Sequence, residues 1–211
     1  MKVTRALISV YDKSGLAELA RSLAELGVEI VASGGTARAI SAAGIAVTEV
    51  ADLTGFPEVL GGRVKTLHPA IHAGILGRPT EEDMGELQRL GLKPIDLVVV
   101  NLYPFAETIA RPNATLDDIV EQIDIGGVAL LRAAAKNFAR VTVLVDPGDY
   151  AMVLDELRQG GEVSEPTRRR LAQKAFSHTA GYDTLISRYL YEAGFAGSDF
   201  PQTISFSFEK I

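Results

Sequence analysis

Cysteine is absent from the 211 residues of the chain. That absence excludes disulfides, thiolate nucleophiles, cysteine-ligated zinc and iron–sulfur clusters. No apolar run approaches the ~20 residues that a membrane span needs. The opening Met1-Lys2-Val3-Thr4-Arg5 also lacks the apolar stretch and small-residue cleavage site of a signal peptide. The expectation is a cytoplasmic protein with no membrane partner. An excess of basic residues is missing too: the net charge of -6 argues against a non-specific nucleic-acid binder. It leaves room for an anionic small molecule, because a local cluster of Lys and Arg can hold a phosphate whatever the overall sign. What is present is an ordinary globular composition, 47% hydrophobic and 23% charged. A chain of this length can bury a full core without a disulfide or a structural metal.

Short apolar runs alternate with helical periodicity. Ala6–Val10, Val28–Ala32, Asp96–Val100 and Val141–Val145 read as strands, with Ala46–Val50 as a further short one. Between them, Ser14–Leu26 carries Leu16, Leu19, Ala20, Leu23 and Leu26 at helical spacing, stopped by Gly27. Further helices are expected from the Ser33–Thr36 loop to Ala43, at Glu81–Leu90, from Thr115 with a capping-box-like start, and at Gly127–Asn137. The stretch Asp52–His72 is rich in Gly and Pro and shows no clear period. The fold class is α/β, a doubly wound and mostly parallel sheet with right-handed crossovers. Residues 1–158 form this domain by our reading. Residues 164–196 form a C-terminal helical extension, one helix or two, with Leu171, Ala175, His178, Tyr182, Leu185, Ile186 and Tyr189 along one side. Residues 197–211 are expected to be a linker.

Ligands of open parallel sheets bind beyond the carboxyl ends of the strands. Ser9 and Lys13, Ser33-Gly34-Gly35-Thr36, Asn101-Leu102-Tyr103-Pro104-Phe105 and Asp146-Pro147 fall there. The Ser-Gly-Gly-Thr loop offers closely approaching N–H groups, two hydroxyls and a helix N-terminus, which suit a phosphate monoester. In isolation a plain Gly-Gly turn with a Thr cap fits it equally well. Lys13, Arg63 and Lys65 would supply positive charge, although each alone reads as a solvated surface residue. The loop-like Gly61–Pro69 carries two cations, a Thr and a His beside two glycines, as functional loops do. His68 and His72 are four apart, but Pro69 between them and the lack of an obvious third ligand favour ordinary hydrogen-bonded histidines over a metal site. Asp124-Ile125-Gly126-Gly127 opens a helix, so Asp124 reads either as a cap or as a base beside oxyanion-stabilising N–H groups. Lys136 is about three turns along that helix and would reach the same pocket only from another side. Otherwise it is a solvated cation at a helix end. Tyr103 is a packed loop aromatic, or one that stacks on a heterocycle or donates a proton.

Taken in order, Ser9–Lys13, Ala32–Thr36, Leu53–Glu58, Gly61–Ala73, Asn101–Phe105 and Glu121–Asn137 resemble the inosine monophosphate cyclohydrolase family, the N-terminal half of the bifunctional purine biosynthesis protein. The resemblance runs over essentially the whole chain. It implies a methylglyoxal-synthase-like fold, no cofactor and no metal. It implies a nucleotide monophosphate substrate, a homodimer, and fusion to a formyltransferase domain. It places the phosphate at Lys13, Ser33, Gly35 and Thr36, with Ser9, Arg63 and Lys65 nearby and Gly34 among the substrate-binding residues. Thr66, Asn101, Leu102, Ile125, Gly126 and Gly127 would bind the rest of the substrate, and Lys65, Tyr103, Asp124 and Lys136 would be catalytic. The activity implied is closure of the second purine ring by dehydration of 5-formamidoimidazole-4-carboxamide ribonucleotide, with formyl transfer not expected. Two rivals are a methylglyoxal synthase-type lyase and a non-catalytic nucleotide-binding regulatory module.

Overall fold

The computed structural model describes residues 2–194. The linker expected at 197–211 lies outside the described residues, as do the last two residues of the expected helical extension. Strands β1 (Arg5–Val10), β2 (Glu29–Ala32), β3 (Thr48–Glu49), β4 (Leu97–Asn101) and β5 (Thr142–Leu144) form one sheet in the order β3-β2-β1-β4-β5. Every pairing in it is parallel. The central strands are covered on both faces: Ala6, Leu7, Ile8 and Leu97 through Val100 are at most 1% exposed. That burial is why they read as unbroken apolar runs rather than alternating ones.

The helices are α1 (Leu16–Glu25), α2 (Gly34–Ala42), α3 (Val50–Thr54), α4 (Pro69–Leu76), α5 (Glu81–Arg89), α6 (Phe105–Ile109), α7 (Leu116–Val120), α8 (Gly126–Lys136), α9 (Tyr150–Gly160) and α10 (Glu165–Gly194). Helix α1 buries Leu16, Leu19, Ala20 and Leu23 on one face, and the left-handed Gly27 (φ 75°) follows its end. Helix α7 opens on a complete capping box: Thr115 Oγ1 accepts from Asp118 N–H and Asp118 accepts from Thr115 N–H. The third strand is shorter than expected, because Val50 already begins α3. The stretch without period hides α4, which starts at Pro69 and is capped by His68, whose Nδ1 accepts from Ala70 N–H. The C-terminal region is one unbroken helix of 30 residues, about 45 Å long.

The chain runs from β1 outward to β3, then returns to β4 on the other side of β1. The order therefore reverses between β1 and β4, and the crevice of such a sheet opens at their carboxyl ends. The opposite end of the sheet is closed by charge. The Arg140 guanidinium, buried just before β5, donates to Asp96 Oδ1 (2.9 Å) and to the carbonyls of Gly74, Ile75 and Gly77. Asp96 Oδ2 in turn accepts from Thr4 N–H, Thr4 Oγ1 and Arg5 N–H. Helix α10 is fastened at the β5 end by Lys174, which donates to Asp146 (2.6 Å) and Asp149 (2.7 Å). Asp146, expected to face a ligand, is thus committed to holding a helix.

Candidate active site

A cleft of about 630 Å³ opens where the topology requires it, over the ends of β1, β2 and β4. One end of it is the Ser33–Thr36 loop. Ser33 is the extended residue ahead of α2, and its hydroxyl is buried with no hydrogen-bond partner among the described residues. An orphaned buried hydroxyl is costly unless a ligand or a water completes it. Gly34 has φ 52°, a left-handed conformation that favours glycine, and a Cβ there would stand 3.3 Å from the flexible end of Glu58. Thr36 lines the cleft too, but its hydroxyl accepts from Val10 N–H and donates to Val10 C=O, tying α2 to β1. The Lys13 ammonium donates to the Val10 and Tyr11 carbonyls and points along the same wall. Burial lowers its pKa; Asp12 opposes that, while Lys65 and Arg38 add to it.

The other end of the cleft is assembled from three distant segments. Lys65 Nζ stands 3.4 Å from Tyr103 Oη, and Tyr103 packs edge-on against Tyr11. Asp124 Oδ1 accepts from Gly127 N–H at 2.7 Å, at the start of α8. Burial pushes the Asp124 carboxyl above its ordinary range, while the Gly127 and Tyr103 backbone bonds and the Lys65 ammonium pull it back. A Cβ at Gly127 would lie 2.5 Å from Asp124 Oδ2, and one at Gly126 would lie 2.9 Å from Thr66 Oγ1. Both glycines are therefore conditions for the carboxylate and the threonine to approach the helix start. Asn101 ends β4 and holds the wall together: it accepts from Tyr11 and Asp12 N–H and donates to Asp12 C=O. Around the mouth, Tyr11, Leu60, Leu67, Val120 and Ile125 are exposed apolar side chains, which suits a flat heterocycle.

Most of the expected residues share this one cleft. Ser9, Lys13, Ser33, Gly35, Thr36, Arg63, Lys65, Thr66, Asn101, Tyr103, Asp124, Ile125, Gly126 and Gly127 all line it. Gly34 sits within the same loop, and Leu102 is buried behind it against Gly127. Arg63 is paired across the mouth with Glu121 at 2.6 Å. Lys136 is the exception. The length of α8 carries it about 15 Å from Gly126, into a separate groove with Leu76, Arg132, Phe138, Arg169 and Phe176. Within one chain it does not meet Asp124.

Comparison with known proteins agrees with this architecture. A model of the MGS-like domain matches residues 15–129, and a model described as the AICARFT/IMPCHase bienzyme matches residues 134–211. The chain belongs to the MGS-like domain family. A solved structure titled "Crystal structure of ForH" is 40% identical with a TM-score of 0.83, over 90% of this chain and 98% of that one. The bifunctional purine biosynthesis protein PurH of Ruminiclostridium cellulolyticum is 53% identical over 99% of this chain and 40% of its own length. That of Chloroflexus aurantiacus is 62% identical over 90% of this chain and 37% of its own. The chain thus spans about two fifths of the length of the curated relatives it matches.

Two residues of this MGS-like site escaped the sequence reading. Glu121 was visible only as part of a motif, and its pairing with Arg63 joins positions 58 apart. Tyr182 was one of a helical stripe, yet its hydroxyl meets the backbone beside Asp124. Neither carries a local sequence signal, because each acts through a long-range contact. No helix of the described residues is long and apolar enough to cross a membrane.

Proposed function

We propose that the chain is an inosine monophosphate cyclohydrolase, acting on 5-formamidoimidazole-4-carboxamide ribonucleotide. One observation carries the reading: a desolvated carboxylate, Asp124, shares a cleft with the Lys65–Tyr103 pair and with a loop holding an orphaned buried hydroxyl. The substrate's phosphate fits the Ser33–Thr36 loop, with Lys13 beside it. Its base fits the apolar mouth.

The reaction is internal to the substrate. The carboxamide nitrogen attacks the formyl carbon and gives up one proton, while the formyl oxygen takes one and becomes a hydroxyl. That hydroxyl then leaves as water, the formamido nitrogen gives up its proton, and a C=N bond closes the ring. Asp124 is placed to take the amide proton, and its raised pKa makes it a better base than an exposed carboxylate. Lys65 and Tyr103 orient the formyl oxygen and stabilise the charge that develops on it. Holding both reacting groups in one conformer supplies much of the acceleration.

A cytoplasmic homodimer belongs to the same proposal. Lys136 enters it there: it stands too far from its own cleft and would act in that of a second copy. Mixing Lys136→Ala with Asp124→Asn chains should then restore part of the turnover. The decisive experiment adds the formylated nucleotide to purified chain and follows ultraviolet absorbance as the hypoxanthine ring forms. Product that disappears in Lys65→Ala supports the assignment. A folded chain that binds inosine monophosphate but makes no product overturns it in favour of a regulatory module.

A further inference from the structure

Among the described residues, the amide of Asp124 donates to no backbone carbonyl. It donates to Tyr182 Oη at 2.9 Å, and the same hydroxyl donates to Gln122 C=O at 2.6 Å. One phenol therefore spans the backbone on both sides of Ile123, just ahead of the carboxylate. Tyr182 comes from α10, 58 residues along the chain from Asp124. Its ring is wedged edge-on against the fully buried Phe105, which Tyr189 of the same helix meets in the same way. Two turns earlier, Lys174 locks α10 to Asp146 and Asp149. The phenol thus reaches the loop from a fixed point.

We propose that Tyr182 is a positioning residue for Asp124. It fixes the backbone of the residue whose carboxylate must meet both Gly127 N–H and the reacting proton. The proposal rests on the reading of Asp124 as the base. Without the hydroxyl, the backbone ahead of Asp124 loses this tie to α10, and the carboxylate, held by the Gly127 and Tyr103 backbone amides, loses its aim. Burial keeps the phenol itself protonated, with a pKa pushed up to about 12, so its donor bond to Gln122 persists across the working range. The charged and titratable groups facing this corner are Lys65 and Tyr103 from the cleft side, and Tyr182 and Asp183 from α10.

The experiment compares Tyr182→Phe, which removes only the hydroxyl, with Tyr189→Leu, which loosens the same aromatic seam. Each is measured well below its own Tm. For Tyr182→Phe we expect kcat to fall about tenfold with KM within about twofold, because aim rather than binding is lost. The Asp124 carboxyl, followed by carbon NMR, should titrate about half a unit or more higher, because its bond to Gly127 N–H is weakened. Tyr189→Leu should change neither. Unchanged kcat and unchanged titration in Tyr182→Phe, or equal losses in both variants, would overturn the proposal. The NMR measurement needs no turnover, so it decides the role of Tyr182 even if the wild-type chain proves not to close the ring.

Discussion

The two ends of the sheet are built on opposite principles. At the amino ends of β4 and β5, Arg140 and Asp96 are buried, yet they are met on every side by carbonyls, amides and each other. At the carboxyl ends, the Ser33 hydroxyl has no partner, Asp124 is desolvated, and glycines stand where any Cβ would collide. Satisfied polar groups hold a structure; an unsatisfied one is costly and calls for a further partner, a water or a ligand. The same sheet therefore has a closed end that stabilises and an open end that is held ready.

Substitutions can break this contrast. The largest effect is expected at the closed end. Arg140→Ala leaves Asp96 buried and unpaired, and should lower the unfolding free energy by about 3–5 kcal/mol in denaturant titration. Whatever remains folded should keep its KM. At the open end the order is reversed. Asp124→Asn or Lys65→Ala should cut kcat at least ~100-fold in steady-state assays while moving Tm little. Turnover retained in both would remove the proposed chemistry.

Smaller changes sharpen the comparison. Ser33→Ala removes a hydroxyl that only the ligand would complete. It should raise KM about tenfold, on the scale of one hydrogen bond to a charged group, with kcat unchanged and stability equal or slightly higher. A loss of stability there would mean that the hydroxyl has an unseen structural partner. The pH profile should show the least dramatic signature. Asp124 must be ionised to act, and its pKa is raised in the folded state by burial. Activity should therefore fall as pH drops through a value above the ordinary 3.8 of an aspartate. An acid limb at or below 3.8 would contradict the burial argument.

The strands were largely legible in the sequence, because buried parallel strands announce themselves as apolar runs, as Leu97–Val100 does. The Arg140–Asp96 pair that closes their amino ends was not, because it joins positions 44 apart. The Ser33–Thr36 loop was legible as a candidate, since its four residues are contiguous. Helix α4 was not, because its opening residues Pro69 and Ala70 sit in a glycine-rich context and its cap is a histidine rather than Ser, Thr, Asp or Asn. The short α6 disappeared behind Pro104. The far half of the cleft was the least legible. Lys65, Tyr103, Asp124 and Tyr182 lie on segments up to 117 positions apart, and only the folded sheet and α10 bring them together. Lys136 is the opposite case: its place about three turns along α8 already showed in the sequence that it would reach this cleft only from another side.

The ring of Tyr11, Leu60, Leu67, Val120 and Ile125 around the mouth has a consequence for handling the protein. With nothing in the cleft, five oily side chains face water together, and two mouths that meet in solution can share them. Net charge of -6 keeps molecules apart at low ionic strength, and salt weakens that protection. Nucleotide should therefore act as a solubiliser: preparations should scatter less light in salt when a purine monophosphate is present than when it is dialysed away.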